Sequence, residues 1–547
     1  MSDVPVTMDT LGSVPYYVVA GYMLLLLGLG IAGWRKSVNN EEDYYLAGRG
    51  QGWIVSSLTI MATFFSSFAL LGAPGMVYRD GVVFALFSLN VPLSGAAVYF
   101  FGSKIRRIGQ ARGYVTPGDM VSDYYGSPVA LRLLVALVGL LYTIPYVVMQ
   151  IQAGGILSQQ LFPGENSYEI GAVVLAIITM AYIMIGGMRS VAWTDVVQGI
   201  LLMGGMLVGG AAVVAVLGGP VEFFNKVAEL PAKSLSVPGT SGFWTPAMLL
   251  TVCLIGSIGS LVQPAQWMRF YAAKSTKTLK RSALIFAVLL TGCFLFGVML
   301  VGLGGQVLYP IVDGAGEYYR SASGALLPNP AVGTTPGGFN DIMLVVLKNH
   351  LPELLGGLGA LVASLIMVAI MAAAMSTADS NLHAMSAVVT RDIYDRFIRP
   401  AAGGNERTWV GRAIISVVTI ASLGLVIVAN RSETNPLGMI VILGLFAIAF
   451  SSQLLPITFD MLYLRKGTKQ GAIAGMVTGL AIVFFISPFM PEMGEGWGGI
   501  RTAMLGMIDK GSWGVIGNVV VFVVVSALTQ PLKTEDVAEF SRLADGE

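Results

Sequence analysis

Apolar stretches of 18 residues or more recur along the whole of this 547-residue chain, each long enough to cross a bilayer as a helix. Backbone amides and carbonyls cannot stay unpaired in lipid, so helices are the expected spanning element. The pattern gives thirteen spans, at roughly 13–34, 52–79, 82–103, 129–158, 168–187, 191–217, 243–270, 282–309, 356–389, 409–430, 436–464, 470–490 and 511–531. Charged residues make up 12% of the chain, about half the share of a soluble domain. The expected fold is therefore an all-α polytopic membrane protein with about thirteen transmembrane helices. No stretch reads as a soluble catalytic domain, and the polar segments are short loops and a tail.

The basic residues orient the spans. With the N-terminus outside, 24 of the 32 Lys and Arg fall on inside segments and 8 on outside ones. The positive-inside rule then puts the C-terminus in the cytoplasm, and the expected location is the plasma (cell inner) membrane. The N-terminal stretch "MSDVPVTMDT" is acidic, which argues against a cleaved signal peptide. Cys253 and Cys293 lie in apolar runs and read as packing residues, so neither a disulfide framework nor a metal site is indicated. The longest outer loop, about 310–355, contains "FNDIMLVVLKNHL" (Phe339 to Leu351), read as a lid or packing helix.

Two spans are unsuited to being smooth helices. The second, "SLTIMATFFSSFALLGAPGMVYRDG", carries Thr63, Ser66 and Ser67 and then a Gly-Ala-Pro-Gly run. The seventh, "LIGSIGSLVQPAQWMRFYAAKS", carries Gly256, Ser257, Gly259 and Ser260 before Pro264. Interrupted helices at corresponding positions five spans apart point to a five-plus-five inverted repeat, with binding where the broken helices expose carbonyls and amides. The expected organisation is an N-terminal extra helix and cytoplasmic loop (1–51), a first repeat (52–217), an outer loop (218–242) and a second repeat (243–464). Two peripheral helices (465–531) and a cytoplasmic tail (532–547) complete it.

The ninth span, near "IMAAAMSTADSNLHAM", places Ser376, Asp379, Ser380 and His383 on one helical face. Asp379 lies about 18 Å along the axis from Arg391, the first charge beyond it, too deep to reach water. A charge at that depth costs about 3 kcal/mol on insertion scales. Oxygen ligands without thiolates or an imidazole cluster suit a hard cation. Asp195, in "IGGMRSVAWTDVVQG", is a second acid in apolar surroundings, read either as a site residue or as a cap near a helix start. His383 reads as a hydrogen-bond partner of Asp379 or as a plain structural residue.

"MSTADSNLHAMSAVVTRDIYDRF" (Met375 to Phe397) resembles the eighth core helix of the sodium/solute symporter family. That family includes bacterial proline, sialic acid, pantothenate, monocarboxylate and galactose carriers and vertebrate glucose carriers. "GGMRSVAWTDVVQ" (Gly186 to Gln198) resembles its fifth core helix, and "ATFFSSFALLGAPGMVYRDG" (Ala62 to Gly81) its first. "RFYAAKS" (Arg269 to Ser275) resembles its central cytoplasmic loop, and "KGTKQGAIAGMVTG" (Lys466 to Gly479) a late motif. The resemblance implies a LeuT-type core and a sodium site made by Ala62, Phe65 and Ala373 carbonyls with the Ser376 and Thr377 hydroxyls. In some members a further sodium site lies nearer the cytoplasm; its positions match Asp195, Ser376, Asp379 and Ser380 here. Asp379 stands where those members carry serine, so the site would either bind a second cation more strongly or take a proton, since close like charges cannot both stay ionised.

The solute is expected beside the sodium site. Candidate liners are Phe64, Ser66 and Ser67 on span two, Tyr146 and Gln150 on span four, Ser257 and Ser260 on span seven, and Phe450 and Gln453 on span eleven. No Lys or Arg falls in the middle of a proposed span, which favours a small neutral or singly charged organic solute over a polyanion. The loop "QPAQWMRFYAAKS" resembles that of the family's monocarboxylate carriers, which implies a monocarboxylate; sugars and amino acids are the alternatives. The expected activity is sodium-coupled symport by alternating access, with Na+ as the co-transported ion, no organic cofactor, a lipid bilayer as surroundings and no nucleic acid partner. The sequence leaves the oligomeric state open. A transport-like sensor is disfavoured because only a short tail follows Ala527, and an enzyme because no nucleophile–base pair, nucleotide loop or metal triad appears.

Overall fold

The computed structural model describes residues 11–36, 40–126, 129–162, 164–432, 438–487 and 495–546. The acidic stretch 1–10, the first two residues of the expected eleventh span and the last three of the twelfth lie outside the described residues. Among the described residues the fold is helical, and β pairing is confined to isolated bridges. Ten helices among the described residues are long and apolar enough to cross a membrane, and two bent pairs bring the number to twelve. Gly187 divides the fifty-residue helix Ser167–Val216 with φ 57° and ψ −160°. Its two arms, counted separately, give the thirteen spans read from the sequence. A side chain at Gly187 would also meet the Tyr44 ring at 2.7 Å, so glycine serves both the turn and the close approach.

Both expected interruptions are present. Trp53–Phe64 and Phe68–Asp80 meet at 59°, and Pro246–Gly259 and Pro264–Ala272 at 45°. Phe65 ends the first arm in an extended conformation (φ −86°, ψ 108°). Pro264 starts the later arm because it has no N–H to place in a continuing ladder. There the Gln263 side chain accepts from the Ala265 amide at 2.7 Å and caps the new start.

The molecule is built around the ninth and eleventh spans. The apolar window of Gly357–Ile398 is 78% buried and that of Ile440–Leu464 83%, against 28% for both Val14–Arg35 and Lys510–Leu528. The central helices thus face protein, while the first and last face lipid and pack at the edge. Helix Ile342–Leu355, preceded by the turn Pro336–Asp341, occupies the segment read as a lid or packing helix.

At one end of the bundle, ion pairs tie loops from distant parts of the chain. Arg132 contacts Asp392 at 2.5 Å and Asp119 at 3.0 Å, while Glu41 accepts from Arg391 at 3.0 Å and Arg407 at 2.9 Å. Burial pushes the Asp119 carboxyl up, but Arg391 first, then the Val115 amide and Arg132, hold it below the usual carboxylate range. The segment read as a cytoplasmic tail forms helix Thr534–Asp545. Asp545 anchors it to Lys104 (2.6 Å) and Arg465 (2.8 Å), hydrogen bonds that lower its carboxyl to about 2. Polar patterning alone did not reveal these docking partners, which lie more than 60 residues away in sequence.

Candidate ion and solute site

The break in the second span leaves the last carbonyls of Trp53–Phe64 without intrahelical partners. The ninth span supplies hydroxyls to them. Ser376 Oγ lies 3.2 Å from the Ala62 carbonyl and 3.1 Å from that of Ala373. Thr377 Oγ1 lies 2.9 Å from the Ala62 carbonyl and 3.1 Å from that of Phe65. All five residues are at most 1% exposed. Each hydroxyl has a single proton and can donate to one carbonyl at a time. Four close oxygen approaches therefore share two protons, and the surplus lone pairs converge at the C-terminal, negative end of a half-helix. Such a group of hard neutral oxygens attracts an alkali cation without holding it irreversibly.

One turn along the ninth span is a second polar cluster. Tyr182 OH donates to Asp379 Oδ2 at 2.6 Å, and Ser380 Oγ donates to the Ser376 carbonyl at 2.6 Å. Thr59 donates a short hydrogen bond to Asp195 Oδ2. Arg269 enters the same cluster, with Nη2 donating a short bond to Ser380 Oγ and lying 3.4 Å from Asp195 Oδ2, and Nε 3.1 Å from Thr59 Oγ1. Asp195 and Asp379 are fully buried and Arg269 is 1% exposed. The sequence reading had no basic side chain in the middle of a span and counted Arg269 with a cytoplasmic segment. The structure corrects this: the break at 260–263 redirects Pro264–Ala272 inward, so Arg269, at the end of a span in sequence, points into the bundle. Asp195 is likewise no cap, since it lies well inside the second arm of Ser167–Val216. His383 packs against the rings of Tyr44 and Tyr45, at centroid distances of 5.3 and 5.5 Å, and makes no bond to Asp379.

Beside the first cluster is a small cavity of about 40 Å³, to which Phe64, Tyr146 and Ser260 of the nine expected liners contribute. The others are engaged elsewhere. Ser66 Oγ accepts from the Phe68 amide at 3.1 Å, and Gln150 Oε1 accepts from the Ser67 amide at 3.0 Å, so these side chains satisfy the broken backbone. Ser257 Oγ turns back to the Leu254 carbonyl at 2.9 Å. Phe450 faces a separate apolar cleft with Phe446 and Phe484, and Gln453 reaches across to the Gly511 carbonyl and Asn518. Neither residue lines this cavity; Ser452–Leu454 is a tight 3-10 turn between helices Ile440–Ser451 and Leu455–Phe459. Liners that the sequence reading missed are Phe68, Phe87, Asn90 and Phe294. Asn90, the lone amide in the third span, was the available signal.

With this geometry in view, similarity to known proteins becomes interpretable. The family model described as "SSF: Sodium:solute symporter family" matches residues 44–479. The chain belongs to that family. It is 28% identical over 481 residues to a sodium/proline symporter of Haemophilus influenzae, covering 86% of this chain and 87% of the relative. The sodium/proline symporter of Escherichia coli is 27% identical, covering 90% of each chain, and the high-affinity proline transporter PutP of Bacillus subtilis is 26% identical, covering 84% and 91%. The fold is similar to that of a Na+-coupled sialic acid symporter solved in a substrate-bound outward-open state, with TM-score 0.75, 19% identity, 96% of this chain and 99% of that one. Mhp1, a nucleobase-cation-symport-1 family transporter, aligns with TM-score 0.50 and 14% identity over 91% and 98%. This family member is accordingly a multi-pass membrane transporter with a LeuT-type fold, a sodium:solute symporter and not an enzyme.

Proposed function

We propose that this symporter imports proline or a closely related small zwitterion, coupled to sodium, with the N-terminus outside and 52–217 and 243–464 as its two inverted repeats. The observation that carries the reading is the convergence of Ser376 and Thr377 hydroxyls on the Ala62 and Phe65 carbonyls, within 3.2 Å. In this proposal Ala62, Phe65, Ala373, Ser376 and Thr377 hold the sodium ion, and the solute binds against Phe64, Tyr146 and Ser260 once the neighbouring cavity, about 40 Å³ in this conformation, widens to admit it. The proline symporters named above favour this solute over the monocarboxylate suggested by the central loop. The cavity lining favours it too, since Phe64, Phe68, Phe87 and Phe294 offer an apolar wall to a hydrocarbon ring.

Asp195, Asp379 and Ser380 form the second coupling site of this reading. Asp195 Oδ1 has no hydrogen-bond partner among the described residues, so the cluster retains acceptor capacity beside Arg269. One sodium ion moving down about 100 mV releases about 2.3 kcal/mol, and a tenfold gradient adds about 1.4 kcal/mol. Ion and solute must favour the same conformation, each raising the other's affinity by the same factor. The test is uptake of radiolabelled L-proline into proteoliposomes with and without an inward sodium gradient. Sodium-driven accumulation is expected; equal uptake with a choline gradient would refute the reading.

A further inference from the structure

A polar cavity of about 240 Å³ lies between the ends of the first, fifth and tenth spans, at the face that the proposed orientation places in the cytoplasm. Trp34 closes it from Val14–Arg35, Ile185 from the first arm of Ser167–Val216, and Thr408, Trp409 and Arg412 from Gly404–Asn430. About twenty residues cross the hydrocarbon core, so counting back from Asn430 sets its inner boundary near Gly411. Arg412 therefore stands at the level of the lipid headgroups. Trp34 is 54% exposed and Trp409 65%, as amphipathic rings at a membrane interface are. Ile185 and Ile31, the latter about one turn deeper than Trp34, are exposed as well, so an apolar path leads from the cavity into the hydrocarbon.

The charges of this cavity are unequally engaged. Glu41, the acid in its wall, is already met by Arg391 and Arg407. Arg412 has no carboxylate within salt-bridge distance among the described residues; its guanidinium lies 4.9 Å from the Trp409 ring centroid and beside the Tyr44 phenol. Arg412 Nε and Tyr44 Oη are enclosed without a hydrogen-bond partner among the described residues, and Tyr44, also in the wall, is only 8% exposed. The tenth span adds a second attraction for an anion. Gly403 precedes it without a side-chain cap, so the first-turn amides at Gly404 and Asn405, in the cavity wall, have no intrahelical partners at the positive end of a 27-residue helix. A guanidinium and a helix N-terminus around one space complement a phosphodiester, a planar-fork acceptor with a single charge. The volume holds such a group with several waters, each of which takes about 30 Å³ in the liquid.

We propose that this cavity binds the phosphodiester headgroup of an anionic phospholipid, with Arg412 on the phosphate and Trp34 and Trp409 beside the glycerol. The bound lipid joins the tenth span to helix Glu41–Leu46, whose Tyr44 packs against His383 of the ninth span, and so ties this end of the bundle together. The inference is independent of the solute, and the proposed orientation enters only in naming the leaflet. Full-length wild type, R412Q and T408E are reconstituted in phosphatidylcholine nanodiscs with rising fractions of brominated phosphatidylglycerol or brominated phosphatidylcholine, and quenching of tryptophan fluorescence is followed. Nanodiscs carry the lipid in both leaflets, so the outcome does not depend on orientation. In wild type, the phosphatidylglycerol is expected to reach half its effect at an about fivefold lower fraction than the phosphatidylcholine, the worth of one basic residue near an anionic lipid surface. W34F/W409F should remove most of the saturable quenching, and R412Q the preference between lipids. T408E places a carboxylate four residues ahead of Arg412 on the same helix face; it should abolish the preference while melting no lower than wild type, which separates lipid loss from misfolding. Unlabelled phosphatidylglycerol should compete, and inorganic phosphate at equal concentration should not. Equal quenching by the two lipids in wild type, a preference unchanged in both R412Q and T408E, or equal competition by inorganic phosphate would each overturn the proposal.

Discussion

Thr377→Ala is the sharpest perturbation of the proposed sodium site. The substitution removes an oxygen that lies 2.9 Å from one carbonyl and 3.1 Å from another. In the ion-free protein it removes one ordinary hydrogen bond, with a net cost of about 1 kcal/mol. In the ion-bound state it removes one of five oxygens facing a charge, and an interaction with a charged group contributes about 1.5–3 kcal/mol. The difference between the two states, about 0.5–2 kcal/mol, corresponds to roughly a two- to thirtyfold rise in the sodium concentration for half-maximal uptake. Because linkage is reciprocal, the apparent KM for solute should rise at low sodium and recover at saturating sodium. The assay is initial-rate uptake in proteoliposomes against sodium at constant ionic strength, with choline as replacement and folded protein normalised by size-exclusion chromatography. Thr377→Ser should restore most of the affinity, and Ser376→Ala should behave like T377A. If both alanine variants keep the wild-type sodium dependence, these hydroxyls do not ligate the transported ion.

Other expectations follow from the second cluster and the outer segment. Arg269→Gln should destabilise the protein by about 3–5 kcal/mol, because it leaves Asp195 buried beside no cation; thermal melting should show D195N/R269Q recovering much of that loss. Asp379→Asn should alter either the ion:solute stoichiometry or the pH dependence of uptake, measured by parallel sodium and proline fluxes, and a variant unchanged in both would remove Asp379 from coupling. Asp341, outside the spans and bonded to Gln160 at 3.2 Å, has its carboxyl pushed by burial up to about 7. Its folded-state pKa exceeds the unfolded value, so its contribution favours the docked segment at low pH and is lost as pH rises through about 7. Hydrogen-exchange protection of 336–355, taken relative to the intrinsic base-catalysed rate at each pH, should therefore be lower at pH 8 than at pH 6, and Asp341→Asn should flatten that difference.

Hydropathy alone determined the thirteen helical crossings, because each span must bury its own backbone polar groups wherever it lies in the fold. It also marked the two interrupted spans, although the first bend falls at Phe65–Ser67, ahead of a Gly-Ala-Pro-Gly run that is itself helical. Ser376, Thr377 and Asp379 stood out because polar atoms in apolar helices are costly. What sequence could not convey was the direction of each chain segment after a break. Arg269 reads as a loop residue in sequence, yet the 45° bend turns it toward Asp195; Ser67 and Gln150, read as solute liners, are bonded to one another, the Ser67 amide donating to Gln150 Oε1. Gln453 likewise belongs to the helix packing around Asn518. Periodicity fixes which residues share a face of one helix, but which face meets which neighbour depends on bend angles and crossings between segments hundreds of residues apart. Only the tertiary structure decided that.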